Sequence, residues 1–238
     1  MQRVLITGAS SGIGQQLALD YAAQGWQVIA CGRNETRLAA LRDQNSAITP
    51  LSFDVTDLAT TRAALAPYTA ELVILCAGTC EYLNDGVVDA ELVARVLSTN
   101  FIGPINCLDA LLPQLKAGAR VALVGSTASL VPLPRAEAYG ASKAALAYFA
   151  RSLAVDLAKR EIGISLVLPG FVATPLTDRN DFAMPMIITT EQASTYIRQG
   201  LAKGRAEIAF PPVFAALLRM TAILPQALQR WLAKRMVR

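Results

Sequence analysis

The sequence predicts an open, doubly wound α/β fold, on three observations. Short uncharged runs such as Val73-Ile74-Leu75-Cys76 read as strands buried on both faces, as parallel strands are. These runs alternate with segments of helical period, an order that gives parallel strands joined by right-handed crossovers. A glycine cluster from Gly8 to Gly14 stands at the first strand-to-helix junction, the end of the sheet where such folds gather ligands. Seven parallel strands with helices on both faces are expected.

Strands are expected at 3–6, 27–30, 48–53, 72–76, 120–124, 164–168 and 207–210. Helical patterns run over 13–23, 35–44, 58–66, 91–115 (with Gly103-Pro104 inside it), 139–159 and 191–201. With 238 residues the chain suits one large core, so residues 1–210 are read as a single domain. Residues 211–238 form a separate basic, apolar tail. In it, Pro225 divides a nearly all-apolar turn, 213–224, from an amphipathic helix at 226–238. Leu228, Trp231, Leu232 and Met236 share one face of that helix.

Composition removes several classes of chemistry. No histidine is present, which takes away the commonest metal ligand and the usual general base, so no metal site is expected. Cys31, Cys76, Cys80 and Cys107 fit neither a disulfide framework nor a metal knuckle. No secretory leader and no membrane-length apolar run is visible, and the expectation is a cytoplasmic protein with reduced thiols. The net charge is +4, yet five basic side chains and no acidic one follow Glu207. Positive charge confined to one apolar segment does not make a nucleic-acid groove, so no nucleic-acid partner is expected.

Thr7-Gly8-Ala9-Ser10-Ser11-Gly12-Ile13-Gly14 has the makings of a dinucleotide cradle. Gly8 permits the tight turn, Gly12 lets backbone approach a pyrophosphate, and Gly14 allows helix and strand to pack closely. The helix N-terminus then offers unpaired N–H groups to the phosphates, with Ser10, Ser11 and Ile13 beside them. Cys31-Gly32-Arg33-Asn34 ends the second strand without the acid that accepts from an NAD ribose. Arg33 just after it can grip a 2′-phosphate, so NADP(H) is favoured over NAD(H). Asp54, with Val55 after the third strand, can accept from an adenine amino group or cap the next helix. Ala77 and Gly78, after the fourth strand, leave room for the adenine ribose.

Tyr139 and Lys143 lie four apart at a helix start, and so on one face. A phenol is a poor acid–base group at neutral pH, and an ammonium beside it is expected to draw its pKa downward. Lys143 can also hold a nicotinamide ribose. Ser126 follows the fifth strand, where its hydroxyl can bond a substrate oxygen. Together with the glycine cluster, this set points to hydride transfer at a carbonyl or alcohol.

Over about residues 1–210 the chain resembles the classical short-chain dehydrogenase/reductase family, and so a Rossmann fold. The family pattern Thr-Gly-x-x-x-Gly-x-Gly matches Thr7 to Gly14, and its catalytic Ser, Tyr and Lys match Ser126, Tyr139 and Lys143, with Ser142 directly before the lysine. The resemblance implies that Asn100 supports a water-mediated proton relay to the lysine. It also implies that Pro169, Gly170, Val172 and Thr174 form the turn holding the nicotinamide carboxamide. Equivalent long helices pair into a four-helix seam, implying a homodimer, with a tetramer also open. Two departures stand out. Cys76 replaces the usual Asn before Ala-Gly, and Ser11 sits where many NADP-using members carry a basic residue.

Substrate choice should come chiefly from the loop 130–137 and from the loop 175–189, the latter being part of a variable stretch of about 175–200. They are rich in Leu, Val, Met, Phe and Pro, with Arg135, Arg179 and Asp181 interspersed, which suits an apolar carbonyl compound. On helix 139–159, Leu146, Phe149, Leu153 and Leu157 recur at helical spacing, with Ala145 and Ala150 allowing close approach; part of that pattern must face the sheet, and the surplus is available to the expected seam. The tail is expected to cover a dimer seam or the substrate pocket. A membrane surface is the second reading, and would make this a peripheral enzyme acting on lipid-like substrates. Two other functions fit the fold: an NADP(H)-sensing protein without turnover, which has no need of all three catalytic residues, and a sugar-nucleotide epimerase or dehydratase, for whose substrate domain the chain is short.

Overall fold

A computed structural model describes residues 2–84 and 86–235. Met236 and Arg238, which the sequence reading assigns to the tail helix, lie outside the described residues. The seven strands are β1 (Arg3–Thr7), β2 (Gln27–Gly32), β3 (Ile48–Ser52), β4 (Leu72–Leu75), β5 (Arg120–Val124), β6 (Gly163–Pro169) and β7 (Glu207–Phe210). They form one all-parallel sheet in the order β3-β2-β1-β4-β5-β6-β7, so the winding reverses between β1 and β4. Alternate residues of each strand feed two cores. Leu5, Val73 and Leu75 join Leu111 and Leu146 on one face, while Val4, Ile6 and Ile74 join Leu17, Ile197 and Phe210 on the other.

Helices α1 (Gly12–Ala23), α2 (Glu35–Gln44) and α3 (Leu58–Leu65) follow the first three strands. Asn34 caps α2 by accepting from the Arg37 N–H at 2.9 Å, and Asp57 caps α3 through Thr60 N–H at 2.8 Å. The fourth crossover departs from the single helix expected over 91–115. It is built from α4 (Ala90–Leu97), a π turn (Ser98–Ile102), α5 (Gly103–Leu111) and a short 3₁₀ turn. Pro104 has no N–H to give the Asn100 carbonyl four residues back, so the ladder widens there. A side chain at Gly103 would meet Val55 Cγ2 at 2.6 Å, which fixes where this widened turn sits.

The long helix α6 (Glu137–Leu157) divides its apolar pattern between the core and the surface. Leu146, Ala150 and Leu157 are buried in the core, whereas Phe149 and Leu153 are half-buried, and Phe149 meets Phe101 edge-on at 6.1 Å. Tyr148 and Val155 are the large apolar side chains that α6 exposes. Helix α7 (Thr190–Ala202) starts with a capping box between Thr189 and Gln192 and packs on α1. The variable stretch therefore ends at 189, because 190–200 is part of the scaffold. The 213–224 segment, expected as a turn, is helix α8 (Pro212–Ala222), with Pro at its first position where no N–H is missed. Helix α9 (Gln226–Arg235) follows Pro225. Among the described residues no helix is long and apolar enough to cross a membrane.

Candidate active site

A cleft opens over the carboxyl ends of the strands where the winding reverses. Gly8, Ser10, Ser11, Gly12, Ile13 and Gly14 line its floor, and Arg33, Asp54 and Val55 its outer wall. Ala77, Gly78, Tyr139, Lys143, Pro169 and Thr174 complete it. Gly8 has a φ of 70°, and a Cβ on it would stand 2.9 Å from the Ala77 backbone. A Cβ on Gly14 would collide with the Gly8 carbonyl oxygen. The turn is thus closed to any larger residue, leaving bare backbone facing the cleft. Unlike α2, α3, α4 and α7, helix α1 receives no side-chain cap, so its first N–H groups point at the cleft without one. These features fit a pyrophosphate.

Thr7 ties the cradle to the neighbouring strand. Its hydroxyl accepts from the N–H groups of Cys76 and Ala77 at 3.1 and 3.2 Å, so the strand-to-strand bonding put in question by Cys76 is supplied from β1. Burial pushes the Cys76 thiol up to about 11, opposed by the Lys143 charge and by the nearby Gly14 N–H. Asp54 does not cap a helix. Its Oδ1 accepts from both the N–H and the hydroxyl of Thr56 at 2.9 Å, and Arg33 stands 3.5 Å from Oδ2. Burial alone would raise the Asp54 pKa, but the Thr56 bonds and Arg33 outweigh it and hold it below the ordinary range. The Arg33 side chain is 74% exposed at the mouth of the cleft.

The three candidate catalytic side chains converge. Ser126 follows β5 and its Oγ accepts from the Ala128 N–H at 3.1 Å, which turns the hydroxyl toward Tyr139. Tyr139 sits in the first turn of α6, and Ser126 lies near enough to act on its hydroxyl, favouring the phenolate. One turn later Lys143, 4% exposed, donates to the Val124 carbonyl at 2.9 Å. The expected electrostatic tuning is corrected here. Burial pushes Tyr139 up to about 12 against the lowering bond from Ser126, and Lys143 is not among the groups that shift it. The lysine nitrogen is 5.8 Å from the ring centroid. Burial brings Lys143 itself down to about 8.

Asn100 lies behind the cleft, fully buried in the π turn. Its amide clamps Thr79, accepting from that N–H at 2.8 Å and donating to that carbonyl at 2.9 Å. It also donates to Ser142 Oγ at 3.0 Å, whose hydroxyl bonds the Tyr139 carbonyl at 2.7 Å. The side chain is thus engaged in holding Thr79 and the start of α6. Gly170 and Val172 do not line the cleft. Gly170 is glycine because the Phe214 ring of α8 would stand 2.8 Å from any Cβ there, and Val172 is buried, pairing with Ile188. Thr99, Gly125 and Leu176 line the cleft without having been singled out. Thr99 was legible as the neighbour of Asn100, and Gly125 as the residue before Ser126. Across the substrate side, Arg135 pairs with Asp181 at 2.7 Å and Tyr82 donates to Asn180 at 2.8 Å. The first bond joins the loops 130–137 and 175–189, and the second ties the latter to the segment after β4.

The chain is similar to known proteins along most of its length. A family profile described as "short chain dehydrogenase" matches residues 2–183. An "Uncharacterized oxidoreductase" of Myxococcus xanthus (strain DK1622) is 37% identical over 243 residues, covering 98% of this chain and 96% of that protein. Among solved structures, a short chain dehydrogenase/reductase from Burkholderia phymatum in complex with NAD superimposes with a TM-score of 0.81 at 23% identity, covering 92% of each chain. An actinorhodin polyketide ketoreductase variant with NADPH gives 0.77 at 22% identity, covering 88% of this chain and 95% of that one.

Proposed function

The chain belongs to the short-chain dehydrogenase/reductase family of oxidoreductases, and from that premise we propose that it interconverts a carbonyl and a secondary alcohol with NADP(H). The carrying observation is that Tyr139, with Lys143 one helical turn away, lines the cleft that the glycine cradle floors, and that Ser126 lies near enough to Tyr139 to act on its hydroxyl. A nicotinamide cofactor, when bound, supplies or takes the hydride. The α1 N-terminus and the Gly8–Gly14 backbone would hold its pyrophosphate, and Arg33 a 2′-phosphate, since no carboxylate ends β2.

Ser126 orients the substrate oxygen, and Tyr139 gives that oxygen its proton during reduction. A phenol pushed up to about 12 is fully protonated at neutral pH, which suits it as an acid. In the oxidative direction the same group must first lose its proton, so alkaline pH favours alcohol oxidation. The Lys143 ammonium, held by Val124, keeps a positive charge at the ribose side of Tyr139 below about pH 8. Tyr82, Phe171 and Phe182 meet edge-on at 5.7 and 6.1 Å beside Tyr139, which supports an apolar carbonyl substrate. We assign the protein to the cytoplasm and expect an isologous homodimer through α4 and α6. An NADPH-oxidation screen over ketones, quinones, steroids and acyl carbonyls tests the assignment. Turnover of at least one apolar carbonyl is expected, and no turnover across all four classes would overturn it.

A further inference from the structure

We propose that α8 and α9 form an arm that binds the surface of an anionic lipid bilayer. The inference is independent of the reaction assigned to the cleft. One face of α8 is seated on the body: Ala215 is buried, Phe214 packs on Phe171 at 5.6 Å between ring centroids, and Arg219 pairs with Glu207. Helical spacing puts Val213, Leu217, Met220 and Ile223 on the opposite face. They are exposed there, Met220 at 65% and Ile223 at 84%. Gln229 fixes α9 across the end of α8 by donating to the Ala222 and Leu224 carbonyls at 3.0 and 2.8 Å. Leu228 and Trp231 are exposed on α9, and the Arg235 guanidinium lies 3.8 Å from the Trp231 ring centroid.

Charge decides what covers this face. The sequence after Glu207 contains no acidic residue, while Arg230, Lys234 and Arg235 all belong to α9. A second copy of the chain, packed through a two-fold axis, would set these cations against their own counterparts with no local acid to compensate. An anionic headgroup layer reverses the sign of that interaction. Apolar side chains beside a Trp–Arg pair match the boundary between headgroups and acyl chains. The arm also touches the cleft's neighbourhood, because Phe214 packs over Gly170 and Phe171. An enzyme docked this way presents its substrate loops toward the bilayer, where apolar carbonyl compounds collect.

The test uses full-length protein and phosphatidylcholine vesicles with or without phosphatidylglycerol, separated by flotation. Wild type should float with the anionic vesicles, and less as salt rises. Each basic residue near such a surface is worth about 5-fold in partitioning, so the triple variant Arg230→Gln, Lys234→Gln, Arg235→Gln should bind on the order of 100-fold more weakly. These side chains are exposed, and unchanged circular dichroism verifies folding. In the Trp26→Phe background Trp231 is the sole tryptophan, and its emission should shift to the blue with anionic vesicles. Wild type that stays at the bottom of the gradient, or a triple variant that floats as well as wild type, overturns the proposal. So does conversion of an oligomer to monomer by Ile223→Glu without lipid, which would identify a second copy as the occupant.

Discussion

Lys143 is a cation buried at a stability cost, and replacing it should make the protein more stable as it removes function. Burial lowers its pKa from 10.5 to about 8, with the Val124 carbonyl as its hydrogen-bond acceptor. A shift of this size corresponds to about 3 kcal/mol favouring the unfolded chain at neutral pH. Lys143→Met keeps an unbranched side chain of similar length but leaves the Val124 oxygen without its donor, which costs about 1–2 kcal/mol. The net gain is about 1–2 kcal/mol, or a Tm rise of about 2–8 °C for a chain of this size. The sign follows from protons bound. Between the folded pKa near 8 and the unfolded value of 10.5, the unfolded chain holds a proton that the folded chain has released, so wild-type stability gains from this group as pH rises. Urea unfolding of both proteins at pH 7 and pH 9.5, at one protein concentration, should show the variant's advantage shrinking by about 2 kcal/mol. A variant that melts below wild type at pH 7, or a difference that stays flat between the two pH values, refutes the reasoning.

Arg33→Ala should weaken NADPH affinity by about 10- to 150-fold, the worth of a charge-assisted bond, and leave NADH nearly unchanged in fluorescence titration. Equal wild-type affinity for the two cofactors would contradict the NADP(H) assignment. Gly170→Ala forces the Phe214 ring and Pro211 to move, since they lie 2.8 and 3.2 Å from the new methyl, and should cost about 1–3 kcal/mol in urea unfolding; the double variant with Phe214→Ala should recover part of it. Light scattering at micromolar concentration should give a dimeric mass, and a monomeric mass would refute the seam through α4 and α6.

Much of this architecture is local, and so was legible. Strand positions follow from uncharged runs and cradle glycines from the strand-to-helix junction, and each sequence boundary lies within two residues of the structure for β1 to β7. What escaped depends on contacts between distant segments. The break in the fourth crossover needs Pro104 to coincide with Gly103 packing on Val55, which no window around 91–115 contains. Gly170 carries the signature of a cofactor turn, yet its size is set by Phe214, far along the chain. The loop bond from Arg135 to Asp181 joins residues 46 positions apart, beyond the reach of any local pattern. Spacing brought Tyr139 and Lys143 to one helix face, but their pKa directions come from burial, which spacing does not encode.

The central claim is that Tyr139 gives the substrate oxygen its proton while taking little part in holding the cofactor. Tyr139→Phe separates the two, because it removes the hydroxyl beside Ser126 and leaves the glycine cradle, Arg33 and Lys143 in place. The measurement is kcat for the best carbonyl substrate alongside the NADPH dissociation constant, wild type against variant. The account predicts a loss in kcat of at least about 100-fold, the scale of general acid catalysis, with the dissociation constant changed by less than about threefold. Turnover within tenfold of wild type, with NADPH still bound, would contradict it.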